Sequence, residues 1–321
     1  MALVSRIYFN AVFGALGGLL GWMLFGVFGD RNPPADQYVL PFLSWADANS
    51  LLGGALIGGV IGYFVVSVEA IRDLSAVRFA RLASYGVLLG AVGGPIGMLV
   101  GDKVNSGLIS VMGDHLTVTM LARGLGWMLL GVTIGMSEGF AARSLGKLSY
   151  GTLGGAIGGF VGGVLFEMFS AEARRGAGSG IDYLSMALGL VILGACIGSL
   201  SALVQAAFQP ASLRVLRGWQ EGREYPLEKP ATLLGREEHA DIALFRDMRV
   251  EKRHALVRRV GDRFVLVNHG APADQTKVND RPVAQSCDLN DGDRIQLGNI
   301  LLRFQTRAAL NRARAKKPLP V

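Results

Sequence analysis

The chain has 321 residues, half of them apolar and only 18% charged, with 45 glycines and a formal charge of +7. Glycine at about twice its ordinary share of roughly 7%, set among so few charges, points to a membrane protein, and two cysteines, Cys196 and Cys287, exclude a disulfide framework. Apolar runs fill Ile7 to Phe208 and charges crowd Arg214 to Lys317. Two domains are therefore expected: a transmembrane domain over 1–205, a linker over 206–223, a soluble domain over 224–306 and a basic tail over 307–321.

The first apolar run follows Arg6 and is too long for a signal-peptide core, so it reads as a retained span. Six runs are long enough, or nearly so, for the ~20 helical residues a bilayer needs. They are Ile7–Gly29, Leu51–Val68, Tyr85–Gly101, Gly124–Phe140, Tyr150–Phe169 and Met186–Gln205. An eight-residue pattern, G-x-x-G-G-x-x-G, is carried by the first, third and fifth: Gly14, Gly17, Gly18 and Gly21, then Gly90, Gly93, Gly94 and Gly97, then Gly151, Gly154, Gly155 and Gly158. Offsets of 0, 3, 4 and 7 place the four glycines of each octet on one helix face. Where lipid offers no hydrophobic drive for helix pairing, such a glycine-zipper face lets backbones approach closely.

The second, fourth and sixth runs carry G-x-x-I-G instead, at Gly58–Gly62, Gly131–Gly135 and Gly194–Gly198. Similar connectors, Arg81-Leu-Ala-Ser-Tyr85-Gly and Lys147-Leu-Ser-Tyr150-Gly, precede the third and fifth runs, so the domain reads as three repeats of a helix hairpin. Both termini then share a side. Arg6, Arg72, Arg78, Arg81, Arg143 and Lys147 lie there in short connectors, whereas Arg31, Lys103, Arg123, Arg174 and Arg175 are spread through longer loops. The positive-inside bias predicts cytoplasmic termini in an inner membrane of bacterial type.

Pro95 is expected to kink the third span. Arg123 and Glu167 are expected at one membrane level, and Glu138 near the other end of the fourth span. No acidic residue falls mid-span, which weighs against proton-coupled transport.

After Pro210 the pattern becomes short alternating runs with turn signals, as in Ala255–Val260, Gly261-Asp262 and Arg263–Val267. About ninety residues of this style argue for a β-sandwich. Within it stand Leu234-Gly235-Arg236, then Val250-Glu-Lys-Arg-His254, then Thr276-Lys-Val278-Asn279, then Leu289-Asn-Asp-Gly292-Asp293-Arg-Ile295-Gln-Leu297-Gly298. In order and spacing these resemble the motifs of a forkhead-associated (FHA) domain over about Glu224 to Thr306. The resemblance implies a sandwich whose loops at one end bind phosphothreonine peptides, with Arg236 on the phosphate and His254 bracing the loops.

Two positions depart from the family. Its phosphate-contacting serine is here Glu251, followed by Lys252 and Arg253, and the asparagine of its Ser-x-Asn-Gly-Thr turn is here Asp274, ahead of Thr276. Each puts a carboxylate where a phosphate or peptide backbone is received, and like charges at contact distance oppose binding. Arg236, Lys252 and Arg253 are expected to pair with Glu251 and Asp274 instead. The partner-binding set is then Arg236, Lys252, Arg253, His254, Asp274 and Thr276, together with the loop from Asn268 to Asn279.

The tail basic residues, Arg307 to Lys317, suit anionic headgroups. His115, His239, His254 and His269 show no metal spacing, Gly146-Lys147-Leu148-Ser149 lacks the residues of a phosphate loop, and no nucleophile and base stand in a supporting context. No enzyme, cofactor, metal or nucleic-acid partner is expected. The sequence predicts a membrane-anchored adaptor or scaffold for signalling, presenting an FHA-like domain to a cytoplasmic protein. The alternative is a channel or transporter whose threefold hairpin repeat is regulated by that domain.

Overall fold

The computed structural model describes residues 3–29, 37–41, 43–73, 76–113, 115–176 and 179–306; the basic tail lies outside them. The chain divides into two compact units after Ala207. The first contains helices α1 (Leu3–Phe28), α2 (Trp45–Asp73), α3 (Ala76–Met112), α4 (Leu116–Ala142), α5 (Leu145–Gly176) and α6 (Ser179–Phe208), with a small ribbon of β1 (Tyr38–Leu40) and β2 (Leu43–Ser44) before α2. All six helices are long and apolar enough to cross a membrane. They overrun the apolar stretches at most ends, because polar residues at a helix terminus extend the hydrogen-bond ladder beyond the apolar centre. Helix α3 continues through Pro95, where the kink is expected. The backbone there rests on α2: a Cβ on Gly54 would lie 2.7 Å from both Gly94 C and Pro95 N.

The octets separate into two edges. At about 100° per residue, offsets 0 and 4 lie on one side of the glycine face and offsets 3 and 7 on the other. On α1, Cβ atoms at Gly14 and Gly18 would strike the carbonyls of Gly194 and Leu190 on α6, while those at Gly17 and Gly21 would lie 2.9 Å from Ile61 Cα and Ile57 Cα on α2. On α3, Gly90 and Gly94 meet the Gly58 and Gly54 carbonyls of α2, and Gly93 and Gly97 meet Thr133 and Gly126 of α4. On α5, Gly151 and Gly155 meet the Gly135 and Gly131 carbonyls of α4, while Cβ atoms at Gly154 and Gly158 would lie 2.6 and 2.7 Å from Ser201 Cα and Ile197 Cα on α6. Each octet helix is thus wedged between two G-x-x-I-G helices, and α6 returns to α1.

The centre belongs to the G-x-x-I-G helices. Ile57, Leu130 and Leu193 occupy equivalent positions on α2, α4 and α6, as do Ile61, Ile134 and Ile197 one turn on, and all six are at most 1% exposed. The octet helices turn ridges of large apolar residues outward, Leu16 and Leu20 on α1, Val92 and Ile96 on α3, Leu153 and Ile157 on α5. Each ridge residue stands two places after one octet glycine and one before the next, and such ridges suit contact with lipid.

Charged residues are held near the helix ends. Arg6 Nη2 donates to Glu69 Oε1 and to Gln205 Oε1, each at 2.8 Å, and Lys147 Nζ donates to Glu69 Oε2 at 2.7 Å. Gln205 Nε2 in turn donates to Glu138 Oε2 at 2.7 Å, so one network joins α1, α2, α4, α5 and α6. Elsewhere Arg123 Nη1 lies 2.9 Å from Asp102 Oδ1 and its Nε lies 3.8 Å from Glu167 Oε2, which brings the expected pair together.

The second unit is a sandwich. Its strands are β3 (Ala211–Arg217), β4 (Glu224–Pro226), β5 (Ala231–Gly235), β6 (Ile242–Ala243), β7 (Ala255–Val260), β8 (Arg263–Asn268), β9 (Thr276–Val278), β10 (Arg281–Pro282), β11 (Ser286–Leu289), β12 (Arg294–Leu297) and β13 (Ile300–Thr306). One sheet runs β10-β9-β12-β13-β3-β4 and the other β11-β8-β7-β5-β6. The span expected as a linker over 206–223 is corrected here: β3 lies inside the first sheet, paired with β13 from Thr306↔Ala211 to Leu301↔Arg217. Its alternation buries Ala211, Leu213 and Val215 in the core with Leu234, Leu266, Ile295 and Phe304. The strand is masked in sequence by the apolar run that precedes it. The β7–β8 turn at Gly261 and the β12–β13 turn at Gly298 take φ of 62° and 58°, a conformation that favours glycine.

Candidate functional site in the loops of the sandwich

The loop joining β6 to β7 folds back on the end of β5. Arg236 N donates to Glu251 O at 2.9 Å, Glu237 N to Lys252 O at 3.1 Å, and His254 N to Leu234 O at 2.9 Å. The approach requires glycine at 235, since a Cβ there would strike the Lys252 carbonyl.

His254 is 0% exposed and joins three segments. Its Nδ1 accepts from Glu251 N at 3.0 Å, so the proton belongs on Nε2, which faces Thr276 Oγ1 at 3.0 Å. His269 N donates to the His254 carbonyl at 3.0 Å. Burial pulls the imidazole below its ordinary value of 6.5, against the opposing influence of the Gln275 backbone and of Glu251 and Asp247. A neutral buried histidine gains its proton only in the unfolded chain, so its contribution to stability is complete above the unfolded value and falls as pH drops below it. Thermal unfolding of the full chain is expected to lose more stability between about pH 6.5 and 5 than that of His254→Gln.

Arg236 is half-buried and already engaged: its Nε donates to Val250 O at 3.1 Å and its Nη1 lies 3.5 Å from Met248 Sδ. Glu251, Lys252 and Arg253 are all exposed at the loop surface, and Asp274 is exposed on the 3-10 turn Ala273–Gln275. The pairing expected among them is replaced by another. Among the described residues Glu251 and Asp274 take part in no ion pair, and Arg253 Nε instead lies 3.9 Å from Glu237 Oε2. Backbone geometry explains this: Glu237 is held beside the loop by its bond to Lys252 O, whereas Glu251 points to solvent.

Three further residues shape the site. Asp247 is buried and its carboxylate accepts from Asn299 N at 2.6 Å, Asn299 Nδ2 at 3.2 Å and Arg249 N at 3.0 Å, locking the loop to the β12–β13 turn. Asn268 Oδ1 accepts from Ala271 N at 2.9 Å, and its Nδ2 donates to Ala271 O at 2.9 Å and Val283 O at 3.0 Å. Asn279, at φ 49°, donates through Nδ2 to Asp293 Oδ1 at 2.8 Å. The available signal was an acid or amide in a turn, the residue types that bond backbone locally. On β11, burial and the charges of Asp293 and Asp288 raise the thiol of Cys287, which is therefore not an activated nucleophile.

The family model described as inner membrane component of T3SS, cytoplasmic domain, matches residues 214–308. The glycogen accumulation regulator GarA of Mycolicibacterium smegmatis is 37% identical over 109 residues, covering 34% of this chain and 67% of that protein. The oxoglutarate dehydrogenase inhibitor of Corynebacterium efficiens is 37% identical over 110 residues, 33% of this chain and 75% of that protein. The chain belongs to the forkhead-associated family. That membership rests on the sandwich, and the chain spans between 62% and 75% of the length of the relatives it matches. A solved structure, the FHA domain of FhaA complexed with the intracellular domain of Rv3910, is 32% identical and covers 30% of this chain and 99% of its own, with a TM-score of 0.27. In the sandwich seen here, the Gly235-Arg236 strand end and His254 stand together through the bonds of Arg236 N to Glu251 O and of Glu251 N to His254 Nδ1.

Proposed function

We propose that the chain is a non-enzymatic, membrane-anchored adaptor whose FHA sandwich contacts a protein partner without requiring phosphothreonine. The observation that carries this is the state of the loop site. Arg236 is bonded to the Val250 carbonyl, and Glu251 presents an exposed carboxylate where the family receives a phosphate. A phosphate entering there meets like charge, and Arg236 has already given its Nε–H to the Val250 carbonyl. Arg236, Lys252, Arg253, His254, Asp274 and Thr276 then act as the frame and rim of a protein contact. The match to a family described as an inner membrane component, cytoplasmic domain, supports an inner-membrane location with the sandwich in the cytoplasm. The basic short connectors favour the same orientation for both termini.

The glycine octets serve as the packing surfaces of the anchor. Their seating against carbonyls of neighbouring helices favours an anchor over a channel or transporter, which needs an open path beside those faces. The full chain in detergent, titrated with matched threonine and phosphothreonine peptide libraries, is expected to bind the phosphorylated set no more tightly. A phosphate-dependent set lost in Arg236→Ala would overturn the reading.

A further inference from the structure

A second surface of the sandwich is built from residues outside the loop site's partner-binding set. Trp219 stands in the turn between β3 and β4 and is 46% exposed, with the Arg246 guanidinium 4.4 Å from its ring centroid. Arg246 is itself held at φ 68°, a left-handed conformation that non-glycine residues adopt only when their surroundings fix it. Two residues on, Met248 is 77% exposed, and it is the residue whose sulfur meets Arg236. Arg217 and Arg249 flank the same turn system, with Arg217 Nε 3.3 Å from Asn299 O and Arg249 Nη1 3.4 Å from Asn299 Oδ1.

Charge on this patch is predominantly positive. The carboxylate of Asp247 is buried and taken up by Asn299 and by Arg249 N, so it does not neutralise the exterior. Arg217, Arg246 and Arg249 are exposed, with Glu221 the exposed acid of the β3–β4 turn. Indole, thioether and guanidinium groups are the ones enriched where protein surfaces bind, and groups already fixed lose little freedom on binding. A stacked arginine also keeps its outer N–H groups available to carboxylates.

We propose that Trp219, Arg246 and Met248, with Arg217 and Arg249, form a docking surface for an acidic protein segment. Its apolar side chain packs on the indole and thioether, and its carboxylates bind the arginines. This rests on the reading of the sandwich as a phosphate-independent protein-binding module, and gives that module's partner its chemistry.

The test uses the full chain in phosphatidylcholine nanodiscs and fluorescence anisotropy of a labelled peptide alternating glutamate and leucine, with a lysine–leucine peptide as control. The acidic peptide is expected to bind and the basic one not. Trp219→Ala and Arg246→Glu are each expected to weaken binding about tenfold or more, and Trp219→Phe to retain most of it. Failure of the acidic peptide to bind, or equal binding by Trp219→Ala, would overturn the proposal. So would phosphatidylserine vesicles being held through Trp219 and Arg246 while the peptide is not. Phosphothreonine binding through Arg236, with the acidic peptide still dependent on Trp219, would overturn the reading of the loop site and leave this surface standing.

Discussion

The double substitution Glu251→Ser, Asp274→Asn is expected to turn the loop site into a phosphothreonine receptor, with at least about a tenfold preference for phosphorylated over unmodified peptide, or about 1.4 kcal/mol. The frame for this is already built. Glu251 contributes its backbone N–H to His254 Nδ1, a bond that serine at 251 preserves, and His254 still reaches Thr276 Oγ1. What changes is the charge facing the ligand. Arg236 can keep its Nε bond to the Val250 carbonyl while its Nη groups gain charge-assisted bonds to phosphate worth about 1.5–3 kcal/mol each. Adding Arg236→Ala should abolish the gain. A double variant that stays folded yet shows no phosphate preference would mean that the loop conformation, rather than the two carboxylates, closes the site.

The largest effect on the membrane domain is expected from Gly155→Leu. Cβ atoms at Gly155 and at Gly131 would each strike the carbonyl of the other, so the new side chain meets backbone, which cannot turn aside as a neighbouring side chain could. Separating α4 from α5 is the only remedy. The cost should reach the upper end of the overpacking range, about 3 kcal/mol or more, seen as a lower thermal midpoint and poorer recovery of monodisperse protein in detergent. Gly26→Leu is the matched control. It lies within α1, but a Cβ there meets nothing within 4 Å, and its midpoint should hardly move.

Much of the candidate site was legible in sequence because its frame is local in type. A Gly-Arg at a strand end and a histidine closing the next loop each reach a nearby backbone group, Val250 O and Glu251 N, and the threonine opening β9 meets that histidine's ring. The missed residue, Asp247, works through a distant partner. Asp247 gains its meaning from Asn299, and nothing in the intervening chain marks the pair. The expected ion pairs of Glu251 and Asp274 failed for the same reason: opposite charges near one another in sequence need not face each other, and Arg253 found Glu237.

The sequence alone determined the six helices, the spacing of the octets and the alternation of the sandwich strands, since helical and strand periods and turn residues are properties of a few adjacent residues. Only the tertiary structure decided that offsets 0 and 4 serve one neighbour and offsets 3 and 7 another, that the G-x-x-I-G helices hold the centre, and that β3 enters the sheet beside β13. The physical reason is common to all three. A glycine face or an alternating strand states which side must be covered, while the identity of what covers it depends on groups far away in the chain.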